Sequence, residues 1–124
     1  MRTASRNKPP TIEEVRPDML KIFGEVFAVK WQLPPGLEKD RDGHIDFDRS
    51  TIYVDGARSL SRQLEILLHE AQHVINWKCE ILDTDRPREE RIARVVGTGM
   101  AALLIDNERL PKFAAFVAAK VRNL

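Results

Sequence analysis

Residues 67–73 read "LLHEAQH" and lie at the centre of "SLSRQLEILLHEAQHVINWKCEIL" (59–82), the stretch whose reading decides the fold. Its apolar positions recur at helical spacing for about five turns, and Ser59 or Ser61 can cap the first of them. On a wheel of about 100° per residue with Leu64 at the origin, Leu60, Leu67, Leu68, Ala71 and Ile75 fall within about 60° of it. That stripe is expected to pack on a sheet. His69, His73 and Glu70 fall at about 140°, 180° and 240°, and Ile66 and Trp77 share their side. The expectation is a helix buried twice, once in the core and once beneath a cleft.

Upstream, "HIDFD" (44–48) and "TIYVD" (51–55) alternate polar and apolar residues around Arg49-Ser50, which predicts a hairpin or two adjacent strands. "VFAVKWQL" (26–33), rich in β-branched and aromatic residues and halted by Pro34-Pro35-Gly36, predicts another strand. In "TIEEVRPDMLKIFGEVF" (11–27), Ile12, Val15, Met19, Leu20, Ile22 and Phe23 fall at helical spacing, interrupted by Pro17 and Gly24, so one short helix is expected there. Downstream, after "DTDRP", a helix is predicted from near Pro87 through "REERIARVVGTGMAALLID" (88–106), and a last amphipathic helix over "PKFAAFVAAKVRN" (111–123). The sum is an α+β fold: an antiparallel sheet of about three strands packed on the helix that carries the histidines, with two further helices.

The N-terminal decapeptide "MRTASRNKPP" is basic, ends in Pro-Pro and offers nothing to bury, so it is read as a disordered tail, with residues 11–124 as one domain. With 20 Lys+Arg against 19 Asp+Glu, no dominant field points to nucleic acid; in "RPREERIAR" acids interleave with the basic residues. One cysteine, Cys79, precludes an internal disulfide and a Cys-based zinc knuckle. No apolar run is long enough to span a bilayer, and the N-terminus lacks a secretory apolar stretch, so a cytoplasmic location is expected.

The chemistry is concentrated in His69-Glu70-x-x-His73. Imidazoles at i and i+4 stand one above the other on a helix, close enough to reach one Zn²⁺ at about 2.0–2.1 Å each. Glu70 cannot reach that point as a ligand but can reach a water beside it, which makes it the candidate general base. A chain of this length shows His-Glu-x-x-His by chance fewer than about one time in a hundred. Each residue taken alone would more often be a solvated or structural side chain.

Three protein ligands plus water is the catalytic arrangement, so a third ligand must come from elsewhere. His44, in the predicted hairpin, is more plausibly a strand residue. Glu89 and Glu90, which open the next helix, are better placed, although acids there also offset the helix dipole without any metal. Periodicity favours Glu89, which lies closer to the Ile92, Val96, Gly99 and Leu103 stripe. Tyr53, on the strand before the helix, is the one candidate to assist a developing oxyanion. "GTG" at 97–99 has no preceding strand, so its small residues are read as permitting close helix contact. Cys79, Trp31, Phe113 and Phe116 read as core, and Trp77 as core or a cleft wall.

"LLHEAQHVINW" followed by "EERIARVVGTGMAALLIDN" resembles the zincin metallopeptidases, most closely small phage-encoded relatives of the ImmA/IrrE group. In that group a strand hairpin leads into the His-Glu-x-x-His helix, and the next helix supplies a glutamate in the pattern Glu-x-x-Ala. Glu90-Arg91-Ile92-Ala93 fits that pattern, so the resemblance implies Glu90 as third zinc ligand. The likeness covers about residues 43–107. One departure is Gln72, where many members have Gly. The resemblance implies a minimal zincin-like domain in which His69, His73 and Glu90 hold zinc. It also implies cleavage of a protein or peptide, often a transcriptional regulator, inside a bacterial cell. The competing expectation is a zinc-stabilised protein-binding module that cleaves nothing, for which Glu70 would be superfluous.

Overall fold

The computed structural model describes residues 8–37, 41–79 and 88–123, and in the last segment the side chains from Val95 onward. In chain order the described elements are α1 (Ile12–Val15), β1 (Met19–Ile22), β2 (Glu25–Lys30), β3 (Gly43–Asp46), β4 (Thr51–Val54), α2 (Leu60–Lys78), α3 (Arg88–Asp106) and α4 (Arg109–Arg122). The architecture is α+β, with a four-stranded mixed sheet in the order β1-β2-β4-β3. Most of the expected basic tail, residues 1–7, lies outside the described residues.

The stretch 11–27 is not one helix. Thr11 caps α1 in a capping box with Glu14, but Arg16, which precedes Pro17, is extended (ψ 130°), so the helix ends after a single turn. Beyond the proline the alternation takes over: Leu20 and Ile22 are buried while Met19 and Lys21 are exposed. The apolar residues between Ile12 and Phe23 satisfy a helical and a strand period alike, and the proline decides between them. Phe23-Gly24 then forms a two-residue turn, both residues at positive φ, that joins β1 to β2.

The sheet also corrects the expected purely antiparallel pairing. After β2 the chain crosses to the far edge to form β3, and the hairpin at 47–50 returns β4 between β3 and β2. β4 therefore pairs antiparallel with β3 (His44 opposite Tyr53) and parallel with β2 (Val29 opposite Ile52). Among the described residues β3 pairs with β4 alone, which leaves its outer edge free.

One face of the sheet presents Leu20, Ile22, Phe27, Val29, Ile52 and Val54 to Leu67, Ala71, Val74 and Ile75 of α2, and Leu103, Leu110, Phe113 and Val117 close the core from α3 and α4. Trp31 meets Phe113 edge to face at 5.4 Å. Gly99 is buried where α3 crosses α2; a β-carbon there would lie 2.5 Å from Ile75 Cγ2, so the small residue permits the close helix contact expected of it. Cys79 ends α2 half-buried against the core.

Two buried amides fasten the helices to the sheet and loops. Gln63 Nε2 donates to the carbonyls of Gly56 (3.2 Å) and Arg58 (2.7 Å), and its Oε1 accepts from Arg16. Asn107, just past α3, accepts from Lys21 N–H (2.6 Å) and donates to the Lys21 and Leu103 carbonyls (2.9 Å each). No helix among the described residues is long and apolar enough to cross a membrane.

Candidate metal site

The buried face of α2 is rotated from the predicted stripe. Ile66, Gln63, Val74, Leu67, Ala71 and Ile75 are buried, while Leu60, Leu64 and Leu68 are only partly so. On the same wheel the buried arc runs from about 200° through 300° to 20°, centred some 60° away from the middle of the predicted stripe. The rotation carries Glu70 to the margin of the core and leaves His69 and His73 exposed. The expectation of a second buried side is thus corrected: Trp77 is 48% exposed and His69 and His73 face outward, and only Ile66 on that side is buried.

The two imidazoles converge. Their Nε2 atoms stand 3.1 Å apart, with the rings nearly perpendicular at 87°. Two nitrogens each about 2.0–2.1 Å from a tetrahedral ion stand about 3.3 Å apart, so the pair is nearly set for one zinc ion without rotamer change. The same separation suits an N–H···N hydrogen bond between neutral rings, and metal titration separates the two states.

Among the described residues no third His, Cys, Asp or Glu joins them. The side chains of Glu89 and Glu90 lie outside the described residues; both belong to the first turn of α3, which packs on α2. His44 stacks on Tyr53 (6.0 Å between rings) on the sheet face turned away from α2, since its neighbour Gly43 faces the helix. That placement removes His44 as a ligand. It also corrects Tyr53 as an oxyanion helper: Ile52 and Val54 point into the core, so alternation sends Tyr53 to the far face, beside Lys30 and Leu33.

Glu70 and His69 line a cleft of about 300 Å³ with Asp42, Gly43, Arg62, Glu65 and Ile66. A β-carbon on Gly43 would fall 2.7 Å from Ile66 Cγ2 and 2.8 Å from Glu70 Oε2, so only glycine lets β3 sit this close to the helix. Close approach is thus provided on the strand, while Gln72 on the helix spans to Asn76 (2.8 Å). Arg62 bonds both Asp42 and Glu65, and Arg58 reaches Asp42 at 2.8 Å. The hydrogen bond from Arg62, helped by the charge of Arg58, holds the Asp42 carboxyl below its ordinary range. Glu70 has no ion-pair partner among the described residues, which leaves its oxygens available to a water in the cleft.

No family model matches this chain, and no curated protein or solved structure matches it either. What can be said of the site therefore rests on its own geometry.

That geometry includes residues that sequence reasoning missed. Phe47, just past β3, packs on Trp77 with ring centres 4.8 Å apart, and Gly43 fixes the other end of the same strand against Glu70. The signal for Gly43 was a lone glycine at the head of an alternating strand, where close backbone approach is a common cause.

Proposed function

We propose that this protein is a zinc-dependent metallopeptidase in which His69, His73 and an acid of the first turn of α3, Glu90, hold the metal. The observation that carries the proposal is the 3.1 Å convergence of the two Nε2 atoms beside a cleft that also holds Glu70 and the free edge strand. Bound zinc would supply Lewis acidity, polarising a water and a peptide carbonyl. Glu70 accepts the proton of the attacking water and passes it to the leaving amine nitrogen. An extended polypeptide pairs its main chain with the outer edge of β3, which sets the scissile bond over the histidines. The resemblance to the ImmA/IrrE group fits a cytoplasmic protein substrate such as a transcriptional regulator.

The core supports catalysis over a purely structural metal. Neither histidine belongs to the buried cluster, so the described fold closes without cross-linking through them. The test is zinc content and cleavage of a denatured protein mixture, measured on wild type, His73→Ala, Glu70→Gln and Glu90→Gln. Loss of zinc in His73→Ala and Glu90→Gln, with zinc kept and turnover lost in Glu70→Gln, is the expected set. Undiminished zinc in Glu90→Gln with loss in Glu89→Gln would move the third ligand one residue. Undiminished turnover in Glu70→Gln would remove the base.

A further inference from the structure

The side of α2 that meets β3 carries Ile66, Glu70, His73 and Trp77, spaced four, three and four residues apart and therefore in one row. β3 runs alongside this row in the same direction. Gly43 touches Ile66 and Glu70 at one end, and Phe47 touches Trp77 at the other. The lengths agree, since Gly43 to Phe47 spans about 13 Å of extended chain and Glu70 to Trp77 about 10 Å of helix. The cleft thus has a chemical end and an aromatic end.

The aromatic end is unfinished. Phe47 and Trp77 pack on each other yet remain 39% and 48% exposed, an arrangement that leaves both rings offering apolar surface to a third group. Two of the neighbouring charges are already engaged: Lys78 bonds Glu25 at 2.7 Å and lies over the Trp77 ring, and Asp46 accepts from the Arg49 backbone and pairs with its side chain. Asp48 lies in solvent-exposed chain beyond Phe47. What remains on offer is apolar surface beside a strand edge whose outward main-chain groups pair with no strand among the described residues.

We infer that Phe47 and Trp77 form a specificity subsite for an apolar side chain of an extended polypeptide paired with β3, about two or three residues from the scissile bond. That spacing follows from the roughly 8 Å between the Glu70–His73 level and Trp77 along the helix, divided by about 3.3 Å per extended residue. The inference rests on the metallopeptidase reading for the position of the cut, and on the β3 edge for binding. Substrates would therefore be unfolded or exposed segments with a Leu, Ile, Met or Phe at a fixed offset from the cleavage point.

The test has two arms. In the first, the zinc-loaded full chain digests a proteome-derived peptide mixture, and mass spectrometry reads the residues around each cut for wild type, Trp77→Ala and Phe47→Ser. Apolar residues should be enriched at one position two or three residues from the cut in wild type. The enrichment should fall about 10-fold or more in either variant while cutting continues, the range expected when a pocket loses one apolar contact. Enrichment at that position undiminished in both variants would overturn the inference. Phe47 lies on an exposed turn, so Phe47→Ser decides the matter if Trp77→Ala does not fold.

In the second arm, Glu70→Gln carrying Trp31→Phe is titrated with short acetylated Ser/Thr peptides holding a single leucine, and the remaining tryptophan is read by fluorescence. Binding that shifts Trp77 emission and disappears when leucine becomes serine supports the subsite even if no peptide is ever cut. In that case the peptidase reading fails and the groove stands. No leucine-dependent shift with any peptide overturns the subsite whatever the first arm shows for cleavage.

Discussion

Replacing Gly43 by alanine adds one methyl group at the point where β3 meets α2. The new carbon would lie 2.7 Å from Ile66 Cγ2, 2.8 Å from Glu70 Oε2 and 3.0 Å from Glu70 Cγ. Ile66 is 3% exposed and branched, so it cannot swing aside, and either the strand lifts or Glu70 is displaced. Overpacking of this kind costs about 1–3 kcal/mol, and removing a glycine from the unfolded chain returns about 0.4–1 kcal/mol. Net destabilisation of about 1–2 kcal/mol is expected, a fall in Tm of several degrees in thermal unfolding. Because Glu70 absorbs part of the strain, turnover should fall further than zinc content does. A double-mutant cycle with Ile66→Ala, which removes the closest clashing carbon, should recover about 1 kcal/mol as coupling. Equal stability of Gly43→Ala and wild type, with zero coupling to Ile66, would refute the close approach and with it the geometry of the cleft.

Phe23 sits in the left-handed region (φ 48°) of the β1–β2 turn, where a side chain of its kind costs about 1–2 kcal/mol, so Phe23→Asn should raise Tm in a thermal melt by a few degrees. Asn107→Ala removes the partner of the half-buried Lys21 N–H and carbonyl and of the buried Leu103 carbonyl, and should cost about 1–2 kcal/mol by denaturant titration. Hydrogen bonds from Lys78 and then Ser50 hold the Glu25 carboxyl below its ordinary value, so the native state favours the ionised form. That stabilisation is fully present above the ordinary pKa of about 4.3 and is lost as pH falls through the lowered native value. Urea midpoints should accordingly drop over this acid range in wild type and drop less steeply in Lys78→Met.

Local patterns were legible where one period ruled. The helical repeat around "LLHEAQH" gave α2, and the alternation of "HIDFD" and "TIYVD" gave the β3–β4 hairpin with the turn near Ser50. β1 was hidden because its apolar residues also suit a helix, and only the proline after Arg16 breaks the tie. The parallel pairing of β4 with β2 depends on which strand crosses to the edge, a long-range choice that no local pattern records. At the site, the spacing of His69, Glu70 and His73 announced a shared face, and the structure brings the two imidazoles together. Their exposure was misjudged because a wheel ranks faces by hydrophobicity alone, whereas packing buried Gln63 and Val74 and turned the helix by about 60°. The far-side placement of Tyr53 was readable, since it stands between Ile52 and Val54 in an alternating strand.

Asn107 bonds both the N–H and the carbonyl of Lys21, which β1 turns outward, and so covers part of that border of the sheet as a neighbouring strand would. Endless strand-on-strand polymerisation needs two receptive borders per molecule, because each newcomer must leave somewhere for the next to join. With β1 part-covered by a carboxamide and β3 uncovered among the described residues, strand addition is favoured at one border over the other, which disfavours edge-to-edge growth beyond a single guest or one second copy. An adhesive border on one side only is a guard against seeding fibrils.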